Sequence, residues 1–513
     1  MEGTVYSLVP PLVAIVLCIV MREAIFSLFM GIFVGALIIY SFSPLTAFYR
    51  SVDEIILSVF IQSDNAVILF FTVLMGGMVE ILNQSRVSRD LVERIAARLR
   101  TRVRANLLIW LTGVVFFIDD YANALIVGNS YRKLADRLKI SRAKLAYLVD
   151  TTSAPVTSLA FVSTWIGFEI SVILKSLKAE GIEGYSGYEL FVYSIPYRFY
   201  PLLALLFCLY ICAMSRDFGP MKRAERLARI REPEETEASS KRPAAAWDPW
   251  NYAILLPIAV LLIAAFISLA VSGYQNGAVT DWVHPWQSVI ALLSNADPFR
   301  SILWATMIAT LVSFAVHIGV FFESFRSVFT SWLEGCKGMF TICLILTLAW
   351  SIGDVCTRLK TGAYVASLLG QGFDPHFLPL LTFLFAAAIS FATGTSFGTM
   401  SILMPVALPL AIHYGVSAHD ILYGTIGSVL GGAIFGDHCS PLSDTTILSA
   451  GASGCSLTDH VNTQLPYALA VALISAGCLA LVPIKGISPY SLLLIGAVIL
   501  LGVVFAFGRK IPE

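Results

Sequence analysis

Apolar runs of about 18 residues or more recur from one end of this chain to the other. Each is long enough to cross a bilayer as a helix. Inside a bilayer the backbone has no water to bond, so a lone segment of this kind must satisfy itself as a helix. Charge is scarce to match. Only 13% of residues are charged and 57% are hydrophobic, where a soluble domain carries about 25% charged residues. Mean hydropathy is +0.79. These features predict an all-α polytopic membrane protein. A formal net charge of zero argues against nucleic acid as a partner. The cysteines are scattered, and Cys18, Cys208, Cys212, Cys343 and Cys478 fall inside apolar runs. They lack the paired spacing of a metal site and read as small buried hydrophobes. The first run, Val5 to Met21, has no basic flank before it and no clear cleavage site. It reads as a retained span.

Candidate spans in the first half lie at about 5–21, 24–42, 64–83, 145–177 and 188–214. In the second half they lie at about 250–273, 301–322, 339–355, 420–451, 465–484 and 488–508. Two further apolar segments, 107–130 and 377–414, are interrupted by polar residues or Gly/Thr/Ser clusters. Basic residues mark cytoplasmic loops. Arg86, Arg89, Arg94, Arg98, Arg100, Arg102 and Arg104 crowd one loop. Arg132, Lys133, Arg137, Lys139, Arg142 and Lys144 crowd the next. Only 107–130 separates them, so a single crossing would put one very basic loop outside. A re-entrant hairpin with its tip near Asp119-Asp120-Tyr121-Ala122-Asn123 keeps both loops inside.

Counting outward from that anchor puts the N-terminus outside and the C-terminal Arg509 and Lys510 in the cytoplasm. Arg358 and Lys360 are the exceptions, since the count leaves them outside. The second half then runs the opposite way, and 377–414 becomes a hairpin with its tip near Thr393 to Gly398. The resulting fold has about 11 transmembrane helices, two re-entrant hairpins and an inverted-topology repeat. Residues 1–215 form the first repeat and 249–485 the second, with 486–513 as an extra terminal span. Residues 216–248 form a charged cytoplasmic linker. Its apolar-poor composition, as in Glu232-Pro233-Glu234-Glu235, disfavours a packed core. The span after each hairpin carries a related break. Asp150-Thr151-Thr152-Ser153-Ala154-Pro155 stands in one half and Asp437-His438-Cys439-Ser440-Pro441 in the other. Inverted repeats with broken helices at the midplane are a secondary-transporter architecture.

The second break has polar flanks that stand out against its apolar surroundings. Gly436-Asp437-His438-Cys439-Ser440-Pro441-Leu442-Ser443-Asp444-Thr445-Thr446 lies between Val429–Phe435 and Ile447–Ala450. Ionisable groups at membrane depth are costly and are kept mainly in ion paths, substrate sites or proton relays. This stretch, with Asp459-His460-Val461-Asn462-Thr463-Gln464-Leu465-Pro466-Tyr467, closely resembles the signature of the NhaC family of sodium/proton antiporters. Phe117-Ile118-Asp119-Asp120-Tyr121 and Ala392-Thr393-Gly394-Thr395-Ser396-Phe397-Gly398-Thr399 also resemble that family. The resemblance implies sodium-coupled exchange in a bacterial inner membrane. It also leaves a second cargo open, because some members exchange organic acids or carry amino acids.

Sodium is a hard cation and needs several oxygen ligands. Asp150 with Thr151 and Ser153 offers them, and so does Asp437 with Ser440, Asp444 and Thr445. Asp150, Ser153, Asp437 and Asp444 are the sodium candidates. The same Asp and Ser residues also suit a helix cap. Asp119 and Asp120 adjoin at the first tip, and two carboxylates in a dry site repel unless one keeps a proton. That couples proton release to cation arrival, and Asn123 lies one turn from Asp120. His438 is a candidate pH relay, and Thr395 and Ser396 are candidates at the second tip. Thr393 and Thr399 beside them also suit plain helix packing. Glu80, Glu169 and Asp354 lie in apolar runs as further proton-carrier candidates. His317, His376, His413, His419 and His460 read as span-end residues, and His284 lies in a loop.

The chain carries no GxxxxGK[ST] loop, which fits gradient-driven transport without a nucleotide or other cofactor. The leading reading is a secondary transporter exchanging sodium for protons. The alternative keeps the fold and moves an organic acid or amino acid. An intramembrane enzyme is disfavoured, since HExxH does not occur and the GxSxG pattern of Gly394 to Gly398 falls at the expected second hairpin tip, not on a strand-to-helix nucleophile turn. A channel fits inverted broken helices less well than alternating access does. A homodimer is compatible with the sequence but not read from it.

Overall fold

The computed structural model describes residues 4–21, 23–85, 87, 99–179, 187–230, 249–277, 292, 296–361, 364, 374–415, 419–441, 443–482 and 487–510. Arg86, Arg89, Arg94 and Arg98 of the basic loop lie outside the described residues, as do linker residues 231–248 and His284. Among the described residues eight helices are long and apolar enough to cross a membrane. The count becomes nine if Gly187–Tyr197 and Phe199–Met214, bent by 48°, form one span. This is fewer than the sequence count because several spans are short or interrupted. The expected span 145–177 is cut into Arg142–Thr151, Ala154–Thr157 and Ile166–Ala179. The expected span 420–451 is cut into His419–Cys439 and Asp444–Ser453.

A scaffold of long helices flanks the centre. Ala24–Ile39 packs on Phe340–Arg358, and Leu256–Gln275 packs on Pro298–Gly319. Phe325–Gly338, which the hydropathy pattern misses, packs on Ser63–Gln84. It is amphipathic: Val328, Ser331 and Gly335 are buried on one face, while Glu334 and Lys337 pair at 2.9 Å on the other. Arg358, on the wrong side of the charge count, pairs with Glu54 at 3.0 Å and Asp354 at 2.8 Å. Its positive charge is balanced where it stands, so it is a weak topological signal.

The centre is built from two helical hairpins and the two broken helices. The first hairpin joins Arg102–Val115 to Asp120–Arg137. Its turn covers Phe116 to Asp119, slightly earlier than expected, so Asp120 opens the second arm. The second hairpin joins Leu378–Thr393 to Ser396–Gly415, as expected. Gly394 makes the turn at φ 71°, a left-handed conformation that glycine adopts without strain. Each hairpin reaches across to the other half's broken helix. Asp120–Arg137 packs on Asp444–Ser453, and Ser396–Gly415 packs on Ile166–Ala179.

Leu378–Thr393 lies along His419–Cys439, and Gly436 makes the approach possible. A Cβ there would stand 2.2 Å from the Phe391 backbone nitrogen and 2.3 Å from the Ser390 carbonyl carbon. Backbone cannot yield as a side chain can. Gly436→Ala is therefore expected to destabilise the protein by more than the roughly 1–3 kcal/mol of ordinary overpacking. Thermal unfolding in detergent checks this, and an unchanged midpoint would contradict the packing.

The linker is not wholly open chain. Arg216–Asp217 pairs as a short antiparallel strand with Arg509–Lys510, and Gly219–Ile230 is helical. That helix packs on Arg142–Thr151 and on Leu457–Leu481. Lys144 and Asp217 form a buried ion pair, and Tyr467 donates to the same Asp217 oxygen at 2.8 Å. The Ser141 N–H donates to buried Glu225 at 2.7 Å. Burial first, and the Asp217 charge second, push the Glu225 carboxyl above the usual glutamate range. A raised carboxyl favours the docked state in its neutral form. The contribution is full below the ordinary value near pH 4.5 and is lost as pH rises through the raised one. Proteolytic cleavage within 219–230 is expected to increase over that rise. In Glu225→Gln the change is expected to vanish, and an identical pH response would contradict the assignment.

Candidate functional site

The site forms where both helix breaks meet the first hairpin. Asn123 fixes their register. Its Nδ2 donates to the carbonyls of Gly113 (2.7 Å), Phe116 (3.1 Å) and Thr152 (2.7 Å). One amide thereby ties both hairpin arms to the first break. The three acceptors fix which atom is nitrogen. Asn123 Oδ1 is then left buried with no hydrogen-bond donor among the described residues.

Asp120 is 3% exposed at the start of the second arm. Its Oδ1 accepts from Trp165 Nε1 at 3.1 Å, and its carbonyl accepts from Ser153 at 2.7 Å. Asp119, beside it, is also buried. Thr164 N–H donates to the Ile118 carbonyl at 2.9 Å. The non-helical segment 158–165 is thereby held against the hairpin tip.

Asp437 is the centre of the second break. Ser443 donates to its Oδ1 at 2.8 Å and Thr445 to its Oδ2 at 3.2 Å. Thr446 donates to its carbonyl at 2.9 Å. These donors come from the start of Asp444–Ser453, whose positive dipole end faces the carboxylate. Asp444 is exposed, and Tyr121 from the first hairpin approaches it at 3.5 Å. Ser440 is buried at the break itself, its N–H bonded to the Gly436 carbonyl at 2.8 Å.

Asp150 joins the two halves. It is not a helix N-cap, because it lies at the C-terminal end of Arg142–Thr151 and Ser141 caps that helix. Its Oδ2 meets His460 Nε2 at 3.0 Å and Gln464 Nε2 at 2.8 Å. Its Oδ1 accepts from Ser449 at 3.4 Å. His438 bridges similarly, with Nε2 2.9 Å from Thr151 Oγ1 and Nδ1 2.7 Å from Tyr200 OH. Gln464 also donates to the His438 carbonyl.

Asp120 and Asp437 lie close enough for their charges to interact, and so do Asp437 and Asp150. No Lys or Arg forms an ion pair with any of the three among the described residues. Thr395 and Ser396 do not hydrogen-bond to these carboxylates among the described residues. Thr395 caps its own helix, accepting from Gly398 N–H at 3.2 Å. The second tip reaches the site through Phe397, whose ring lies 4.7 Å from that of Trp165.

The remaining acidic candidates stand apart. Glu80 accepts from Asn83 and Gln84 and, with Asn129 and Ser130, lines a cavity of about 310 Å³. Asp354 pairs with Arg358, and Glu169 pairs with Arg198 at 2.7 Å. Trp165, Tyr200, Ser449, His460 and Gln464 join Asp120, Asp150 and His438 although none stands out as a site residue in the sequence. Two of these had a signal: His460 and Gln464 are four apart on one helix face, inside a motif already singled out.

The profile of the Na+/H+ antiporter family matches residues 156–483, a segment that holds the second hairpin, the second break and Gln464. The chain belongs to the Na+/H+ antiporter family. This antiporter is 33% identical to an uncharacterized protein of Haemophilus influenzae, over 92% of this chain and 89% of that one. Shorter stretches match the Na+/H+ antiporter NhaC of Alkalihalophilus pseudofirmus, 33% identical over 26% of this chain and 27% of that one. The malate-2H+/Na+-lactate antiporter of Bacillus subtilis is 30% identical over 25% and 27%. The fold of the antiporter is similar to that of the Alcanivorax borkumensis YdaH transporter. The TM-score is 0.57 at 15% identity, covering 86% of this chain and 90% of that one. Family and fold are those of multi-pass membrane transporters.

Proposed function

We propose that this antiporter exchanges sodium for protons at the carboxylates where its two broken helices meet. One observation carries the reading. Asp120, Asp150 and Asp437 gather at low exposure, with no Lys or Arg paired to them among the described residues. Buried like charges repel unless a proton or a cation lies among them. Sodium and protons are then alternative occupants, and binding of one expels the other.

The ligands for sodium are carboxylate oxygen from Asp437 and Asp120, the free Asn123 Oδ1, and carbonyls released at the breaks. Asp150 and His438 act as the joint between halves, since the side-chain partners of each come from the other half. Asp119 and Asp444 flank this centre at the hairpin tip and at the exposed side. Thr395 and Ser396 shape the second tip, which closes on Trp165. The two halves act as inverted repeats, 1–215 and 249–485. The hairpins enter from opposite faces, the N-terminus is outside and the C-terminus is cytoplasmic. Reciprocal packing of each hairpin on the other half's broken helix supports this arrangement. Rocking of one half against the other alternates access to the fixed site.

A second reading keeps these residues and changes the cargo to a small organic anion or amino acid. Its support is the stretch similar to the B. subtilis malate-2H+/Na+-lactate antiporter. A counterflow panel separates the two. Liposomes loaded with sodium take up radioactive sodium, and unlabelled dicarboxylates, hydroxyacids or amino acids are added outside. Sodium/proton exchange predicts that flux responds to pH and ignores the panel. Strong stimulation or block by one acid moves the assignment to the second reading.

A further inference from the structure

A fully buried ion pair of the centre lies outside the carboxylate site. Arg198 and Glu169 are both 0% exposed. All three nitrogens of the Arg198 guanidinium donate. Nη1 donates to Glu169 Oε2 at 2.7 Å and to the Ser158 carbonyl at 2.5 Å. Nε and Nη2 donate to Ser194 Oγ at 3.3 and 3.2 Å. The group also stacks over Phe191 at 4.4 Å.

Three features argue against a purely stabilising role. A buried ion pair is a weak source of stability, often no better than apolar residues of equal volume. This one is also incomplete, since Glu169 Oε1 is buried without a hydrogen bond among the described residues. Its position is more telling. Ser158 closes the helical turn Ala154–Thr157, and Glu169 lies in the first turn of Ile166–Ala179. One guanidinium therefore ties the start of the non-helical segment 158–165 to the helix that follows it. The far end of that segment carries Trp165, whose N–H holds Asp120. Arg198 is also the point at which its own span bends by 48°, with φ −79° and ψ 63°.

We infer that Arg198 is a positioning residue that holds segment 158–165, and through Trp165 the Asp120 carboxylate, in register with the bend of its own span. The inference rests on Asp120 belonging to the cation site. The pair is neutral as a whole, so it acts by geometry and not by adding charge to that site. Lysine cannot replace the arginine, because one ammonium lacks the planar fork that reaches Ser158, Glu169 and Ser194 together.

The test compares wild type, Arg198→Lys, Trp165→Phe, Asp120→Asn and the apolar double variant Glu169→Leu with Arg198→Met. Each is purified, melted in detergent and assayed for sodium-driven flux in liposomes over a range of sodium. The double variant is expected to melt at or above wild type and to raise the apparent KM for sodium by about tenfold. Arg198→Lys and Trp165→Phe are expected to raise KM in the same direction. They keep the question answerable if the double variant does not fold. A folded double variant or an Arg198→Lys protein with wild-type KM and rate overturns the inference. Asp120→Asn separates the two claims. An unchanged KM there overturns the cation-site reading of Asp120, whereas a raised KM there with normal Arg198 variants overturns the role given to Arg198.

Discussion

An Asp437→Asn protein is expected to fold normally and to lose sodium flux by at least about a hundredfold. The expectation follows from charge and geometry together. Opposite unit charges about 4 Å apart attract by about 4 kcal/mol at an effective dielectric of about 20. Each 1.4 kcal/mol is about tenfold in affinity, and the hundredfold figure allows for the desolvation that binding requires. The fold should survive because Asn retains the shape and the capacity to hydrogen-bond Ser443 and Thr445, which hold the carboxylate at 2.8 and 3.2 Å. Radioactive sodium uptake into liposomes and a melting curve measure both halves of the claim. Wild-type uptake would remove Asp437 from the site. A collapsed melting midpoint would mean that its charge serves the fold.

Asp150→Ala is expected to behave differently, losing stability as well as flux. Three buried groups from the second half converge on this side chain: Ser449, His460 and Gln464. Alanine leaves them facing a cavity. A buried polar group without its partner costs about 1–3 kcal/mol, and breaking a buried charged contact costs about 3–5 kcal/mol. The melting midpoint should therefore fall clearly below that of Asp437→Asn. Equal midpoints for the two variants would show that Asp150 is not the joint between halves.

The sequence exposes some of these residues and hides others for physical reasons. Asp437 and Asp120 are visible because a carboxylate in an apolar run is expensive and has few excuses. The two breaks are visible because Pro155 and Pro441 follow an Asp and a Ser at matching places. The hairpins are visible because basic residues on both flanks of 107–130 cannot be separated by one crossing. Trp165 and Tyr200 are hidden, since an aromatic residue in an apolar run reads as lipid-facing or core until its polar end finds a partner. Arg198 is hidden because its charge, inside the expected span 188–214, shows no partner in the sequence. Only the third dimension brings Ser158 and Glu169 to it. The helix Gly219–Ile230 is hidden by its charges, which suggest open linker until Leu457–Leu481 and Arg142–Thr151 supply a surface.

Sodium and protons as alternative occupants of one carboxylate centre is the claim on which the rest depends. It is tested most directly in liposomes holding wild-type protein and a trapped pH dye, with sodium added outside and no organic solute present. Exchange at this centre predicts an immediate rise in internal sodium matched by proton exit, so that the lumen turns alkaline. A lumen that stays at constant pH while sodium enters, or that responds to neither ion, would contradict it.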